Sequence, residues 1–279
     1  MTSMFTETVL FLQDLEKSAL GFSFALWAFA MGALIGSFLN VVIYRVPLGR
    51  SVVLPPSACT NCNTPLHWSH NLPIFSYFFL KGRCRFCGVN YSVRYAALEL
   101  VSGLFFLWSQ QEWGFVSLLF LKSVCLYSLC LVVFFIDLDH WIIPDGINAF
   151  GVVLGLFFSV LLPLESPFWV QDMLGLRLGS LFWSLLGGVT GFLFFWGVQV
   201  LGLVLVRQEA MGGGDVKFAA LIGSFLGPLV GVWAFLLSFF WELCLLFLSC
   251  CCGEEGGKTR SLSGHSWRSL RCFFKQRIM

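Results

Sequence analysis

Long runs of apolar residues, scarcely interrupted by charge, dominate this chain. The run from residue 178 to 206 contains no charged residue. A helix of about 20 apolar residues crosses a bilayer core about 30 Å thick. Over the 279 residues, 58% are hydrophobic and 11% are charged, whereas soluble domains carry about 25% charge. These features exclude a water-soluble enzyme and predict a polytopic membrane protein.

We predict an all-α protein with about seven transmembrane helices. Two of the apolar runs are short, and the turn at Gly227 and Pro228 is tight, so these elements can be half-length or broken. The first run lacks a following A-x-A cleavage site, which indicates a retained helix instead of a signal peptide. The predicted spans are 20–44, 95–108, 115–136, 147–164, 178–206, 216–226 and 229–249.

The polar insert at 45–94 contains six basic residues and no acidic residue. The positive-inside rule therefore predicts that this insert is cytoplasmic. Alternating the spans from there places the segments 137–145 and 207–217 on the same side. The formal charge of +2 is no indication of nucleic-acid binding, and we expect no nucleic-acid partner.

Cysteines in the insert form two C-x-x-C pairs with the spacing of a structural zinc site. Four thiolates around Zn²⁺ would fold a loop that is too small for its own core. His67 and His70 lie between the pairs and could substitute as ligands, and a pair of redox dithiols is the alternative interpretation. The predicted metal ligands are Cys59, Cys62, Cys84 and Cys87.

Acidic residues cluster at two predicted membrane boundaries that are far apart in the chain. Asp137, Asp139 and Asp145 follow the third span, and Asp215 follows a glycine-rich turn. Carboxylates at such positions are costly and are functional by default. If two of them approach each other they share one proton, which is aspartyl-protease chemistry. The alternative is that they are ordinary helix-end carboxylates.

In order, these motifs resemble those of the type IV prepilin peptidases over about residues 20 to 240. In combination they are highly specific, whereas G-x-G-D alone is shared with other intramembrane aspartyl proteases. Besides the two C-x-x-C pairs, the matching motifs are G-S-F-L-N-V-V-I-Y-R at 36–45, Y-S-V-R-Y at 91–95, I-D-L-D-H at 136–140, I-P-D at 143–145 and G-G-G-D-V-K at 212–217.

The resemblance implies a bifunctional enzyme of the bacterial inner membrane with a cytoplasmic active site. It would cleave the basic leader of type IV prepilins and type II secretion pseudopilins after a glycine, then methylate the new N-terminus with S-adenosylmethionine. Asp137 and Asp215 would be the catalytic pair. The supporting residues would be Asp139, Asp145, Gly212, Gly214, Lys217 and Glu209, the last as a hypothetical receptor for the leader.

The C-terminal segment departs from the family pattern. If the codons of residues 260–269 are read one base earlier, they can encode I-P-F-G-P-F-L-A-L, which begins the family's last span. The same shift at residues 240–243 can encode L-G-A, which also matches the family pattern. We therefore expect a single-base frameshift near Phe240; a divergent tail is the alternative. The predicted segments are 1–44 with the first helix, the insert 45–94, the peptidase core 95–240 and an aberrant tail 241–279.

Two other functions fit the same residues. In a proton- or ion-coupled transporter, Asp137, Asp139 and Asp215 would relay ions and the zinc loop would gate them. A zinc-dependent scaffold without catalysis would need the cysteines but neither aspartate. Substitution of Asp137 or Asp215 separates these alternatives from a peptidase.

Overall fold

The fold is known from a computed structural model that describes residues 21–59, 61–66, 72–162, 167, 170, 172, 174–206 and 212–252. In this part of the chain the regular structure is α-helical, and the only β pairing is two isolated bridges. The predicted all-α class is therefore confirmed. The helices are α1 (Gly21–Arg45), α2 (Phe75–Phe79), α3 (Val93–Trp113), α4 (Leu118–His140), α5 (Asp145–Leu161), α6 (Leu176–Val206) and α7 (Gly213–Cys252).

Four of these helices are long and apolar enough to cross a membrane: α1, α4, α6 and the first part of α7, while α5 is a shorter apolar helix. The total number of crossings stays a prediction. Helix α3 continues to Trp113, beyond the predicted end at 108. The predicted spans 216–226 and 229–249 lie in α7, which is interrupted at Gly227, where φ is 79° and ψ is 174°.

The described chain divides into two compact units, the first ending at Ile142 and the second beginning at Ile143. In the first unit, α1 packs on α3 through a G-x-x-x-G pair. A Cβ atom at Gly32 would lie 2.6 Å from the Ser102 carbonyl oxygen, and one at Gly36 would lie 2.9 Å from the Glu99 Cα. Small residues at such contacts let membrane helices approach closely and gain dispersion energy.

In the second unit, α5, α6 and α7 also pack through small residues. A Cβ atom at Gly155 of α5 would lie 2.9 Å from the Phe225 ring, and one at Gly191 of α6 would lie 2.6 Å from the Ala219 carbonyl oxygen. The first turns of α5 and α7, which contain Asp145 and Asp215, therefore belong to the same compact unit.

The break in α7 leaves a carbonyl without its helical donor, because Pro228 has no N–H to offer to Ser224 four residues earlier. The Ser184 hydroxyl of α6 donates a hydrogen bond to this Ser224 oxygen at 2.6 Å. A side chain of a neighbouring helix thus satisfies the freed backbone group, as apolar surroundings require.

Candidate functional site

Each C-x-x-C pair forms a tight knuckle held by backbone hydrogen bonds. The Cys59 N–H donates to the Thr64 oxygen at 3.0 Å, and the Asn63 N–H donates back to the Cys59 oxygen at 2.9 Å. The second knuckle repeats both bonds around Cys84, with Gly88 in the place of Asn63. Asn63 and Gly88 both have positive φ (54° and 71°), a conformation that glycine and asparagine tolerate best.

The two knuckles bring their sulfur atoms together, with all four within 4.8 Å of one another. Backbone N–H groups of Cys87 and Phe86 lower the pKa of Cys84 to about 6, and the Thr64 hydroxyl lowers the pKa of Cys62. Both shifts favour the thiolate, the form that binds metals. The cluster that could hold a metal ion comprises Cys59, Cys62, Cys84 and Cys87.

Within the first unit, a buried carboxylate of α3 ties the insert to this helix. Glu99 is 8% exposed and accepts the Ile74 N–H at 2.7 Å. Ile74 has a positive φ of 64°, which is rare for a β-branched residue, and this bond helps to hold it. Sequence reasoning did not identify Glu99, although a lone carboxyl within an apolar run was a signal that could have done so.

An arginine of α3 holds the acidic end of α4. Arg94 Nη1 lies 2.6 Å from an oxygen of Asp139, and the guanidinium stacks over the Phe135 ring at 4.4 Å. The helix ends one residue later, where the left-handed Trp141 donates its N–H to the Asp137 oxygen at 2.9 Å. Asp139 is therefore paired, while the half-buried Asp137 carboxyl has no ion-pair partner in the described residues.

The glycine-rich turn places Asp215 in the first turn of α7, where its N–H donates to the Gly212 oxygen at 3.1 Å. Gly214 packs against Ile143, and a Cβ atom here would lie 2.9 Å from the Ile143 Cβ. At Gly213 a Cβ atom would meet nothing within 4 Å. Close packing therefore requires glycine at Gly214 and not at Gly213.

A second ion pair joins the first turns of α5 and α7. Lys217 Nζ lies 2.6 Å from an Asp145 carboxylate oxygen, and their side chains are 49% and 72% exposed. An ion pair this exposed contributes about 1 kcal/mol or less to stability. Its contribution here is to orient two segments that each carry predicted site residues.

One polar side chain near these residues is buried without a partner. Asn148, one turn into α5, is 3% exposed, and neither its amide nitrogen nor its oxygen has a hydrogen-bond partner in the described residues. Such a group costs about 1–3 kcal/mol in a folded protein. Apolar periodicity did not reveal this residue.

Three residues named from the sequence lie outside the described residues: His67, His70 and Glu209. The tail beyond 252 lies outside them as well. Asp137 belongs to the first unit and Asp215 to the second, and their pairing stays a prediction.

Comparisons with known proteins cover most of the chain. The model of the bacterial peptidase A24 N-terminal domain matches residues 30–113, and that of the type IV leader peptidase family matches 124–253. A prepilin leader peptidase/N-methyltransferase of Myxococcus xanthus is 38% identical over 73% of this chain, but the match spans only 56% of that protein.

Two further relatives are matched over more of their length. A prepilin leader peptidase/N-methyltransferase of Klebsiella pneumoniae is 32% identical over 71% of this chain and 83% of its own. A type 4 prepilin-like proteins leader peptide-processing enzyme of Escherichia coli is 32% identical over 71% and 75%. No solved structure matches. These matches lend no support to the transporter alternative.

Proposed function

Since this chain belongs to the type IV leader peptidase family, we propose that it is a membrane-embedded aspartyl endopeptidase that removes the basic leader of type IV prepilins. Pseudopilins of type II secretion are included as substrates. Cleavage falls after a glycine, and the enzyme then methylates the new N-terminus, for which S-adenosylmethionine supplies the methyl group. The family match across both units supports this proposal.

Asp137 and Asp215 form the catalytic pair in this proposal. Two carboxyl groups that approach each other share one proton, so the ionised one activates water while the protonated one donates to the scissile carbonyl. The assignment rests on the other two carboxylates of these segments, which each form an ion pair: Asp139 with Arg94 and Asp145 with Lys217. A carboxylate whose oxygen already contacts a cation is less available to pair with a second carboxyl group.

The glycine-rich turn suits a peptide substrate, because glycine adds no side chain that blocks an extended backbone from the Asp215 carboxylate. The enzyme lies in the bacterial inner membrane with this site facing the cytoplasm. The positive-inside rule keeps a basic leader on that side while the following apolar segment lies in the bilayer. Glu209 is proposed to receive the basic leader.

The cysteine cluster holds a structural Zn²⁺ ion. Four ligands at the usual Zn–S distance of about 2.3 Å form a tetrahedron with sulfur–sulfur edges of about 3.8 Å. The Cys59 and Cys87 sulfurs are 3.7 Å apart, so the cluster fits the ion with little rearrangement. A closed set of four thiolates leaves no position for a reacting water, so the metal would fold the insert and take no part in proteolysis.

Co-expression with a prepilin tests the proposal through the mass of the pilin N-terminus. We expect a shortened chain that begins after a glycine and carries the mass of one added methyl group. A shortened chain without that mass would remove the methyltransferase part of the proposal. An intact prepilin beside a membrane-inserted enzyme would contradict the proposal as a whole.

A further inference from the structure

Tyr91 follows the second cysteine knuckle and turns its hydroxyl towards the sulfur cluster. Its N–H donates to the Gly82 oxygen at 2.7 Å, which fixes the backbone at this point. The hydroxyl lies against the thiols of Cys84 and Cys59, one from each knuckle. It is buried, and it makes no hydrogen bond of ordinary geometry within the described residues.

A buried hydroxyl without a partner costs about 1–3 kcal/mol, so its position beside two sulfurs needs an explanation. A phenol has an ordinary pKa of about 10, so it carries its proton at neutral pH and can donate its O–H. A thiolate is a much better acceptor than the thiol it replaces, since hydrogen bonds to charged groups are the stronger ones.

The two more accessible sulfurs already have other polar partners. The Thr64 hydroxyl interacts with Cys62, and the Asn61 amide donates to the Cys87 sulfur at 3.6 Å. The buried side of the cluster, formed by Cys59 and Cys84, is where Tyr91 lies. Four thiolates on one divalent ion leave a net charge of −2, and donors around the sulfurs offset it.

We propose that Tyr91 is a positioning residue of the metal cluster, whose phenol O–H donates a hydrogen bond to the Cys84 thiolate while its oxygen lies against the Cys59 sulfur, which ties both knuckles to one ion. The inference rests on the zinc ion of the proposed function. The bond offsets part of the negative charge on the buried sulfurs and makes the thiolate harder to protonate, which slows loss of the ion.

The test compares purified full-length protein with its Tyr91→Phe variant, first by zinc content and then by the rate of zinc transfer to a chelating dye. Loss of an outer-sphere hydrogen bond lowers metal affinity about 10–100-fold, so we expect faster transfer in that range. With Co²⁺ in place of zinc, the sulfur-to-cobalt charge-transfer band should move to lower energy. Tyr77→Phe is the matched control, because the Tyr77 ring lies against Gly82 in the same insert, and it should leave both readouts unchanged.

A second variant guards against misfolding. Site-specific 3-fluorotyrosine at position 91 keeps the size of the side chain and makes the phenol a stronger donor, so transfer should be slower than in the wild type. Equal transfer rates and cobalt spectra in the wild type and both variants would overturn the role of Tyr91. A wild-type protein that binds neither zinc nor cobalt would instead overturn the zinc assignment itself.

Discussion

Two adjacent glycines of the G-x-G-D turn should respond very differently to the same substitution. A methyl group at Gly214 would stand 2.9 Å from the Ile143 Cβ, whereas one at Gly213 would meet nothing within 4 Å. Carbon atoms pack best at about 3.5–4.0 Å. Gly214→Ala must therefore move the turn and the Ile143 side chain apart by about 0.6–1.1 Å, taken against that distance.

The displacement sets the size of the effect. Overpacking of this kind costs about 1–3 kcal/mol, and misplacing a catalytic group by about 1 Å can cost about 100-fold in rate. Because Asp215 directly follows Gly214, we expect kcat/KM for prepilin cleavage to fall about 10–100-fold in Gly214→Ala. Both glycines lie in the first turn of α7, so any gain in helix propensity, about 1 kcal/mol at most, is common to both variants.

The assay is processing of a purified prepilin by each variant in detergent, with membrane insertion checked separately. Gly213→Ala should retain wild-type activity. Ile143→Gly removes every side-chain atom that the new methyl group meets, including the Cβ at 2.9 Å, so the double variant Ile143→Gly/Gly214→Ala should recover much of the loss. Equal damage from Gly213→Ala and Gly214→Ala, or no recovery in the double variant, would refute the packing argument.

Two other substitutions and one sequencing measurement have defined outcomes. Asn148→Leu replaces a buried amide without a partner and should raise the free energy of unfolding by about 1–3 kcal/mol in thermal denaturation; a loss of stability would reveal a partner. Arg94→Gln removes the ion pair to Asp139 and the stacking on an aromatic ring, and should lower stability by about 1–2 kcal/mol in the same measurement. Sequencing the gene across codon 240 should reveal an alternative frame that encodes I-P-F-G-P, and its absence would end the frameshift proposal.

Features set by local pattern were predictable from the sequence. Low charge and long apolar runs predicted the helical membrane fold, and the C-x-x-C spacing identified the four sulfurs that the structure gathers. Helix ends were less predictable. The second predicted span ended at 108, where the apolar run stops, but α3 continues to Trp113. Ser109 and Gln110 are polar, yet they are buried and helical. The backbone hydrogen bonds of a helix do not depend on side-chain polarity, so the apolar run did not mark its end.

Tertiary partners of the site residues could not be predicted from one sequence. Arg94 and Asp139 are 45 positions apart and Lys217 and Asp145 are 72 apart. Neither periodicity nor motif spacing specifies which cation meets which carboxylate. The same limit applies to the contact of Gly214 with Ile143, which depends on how α5 and α7 pack.

Asp137 and Asp215 are proposed to act together in catalysis. The most direct test compares the rates of prepilin processing by Asp137→Asn, Asp215→Asn and the double variant, each of them inserted normally in the membrane. Groups that act as one unit are strongly non-additive on removal. We predict that each single variant loses processing and that the double variant is no slower than either. Continued cleavage by either single variant, or losses that simply add in the double variant, would contradict the account.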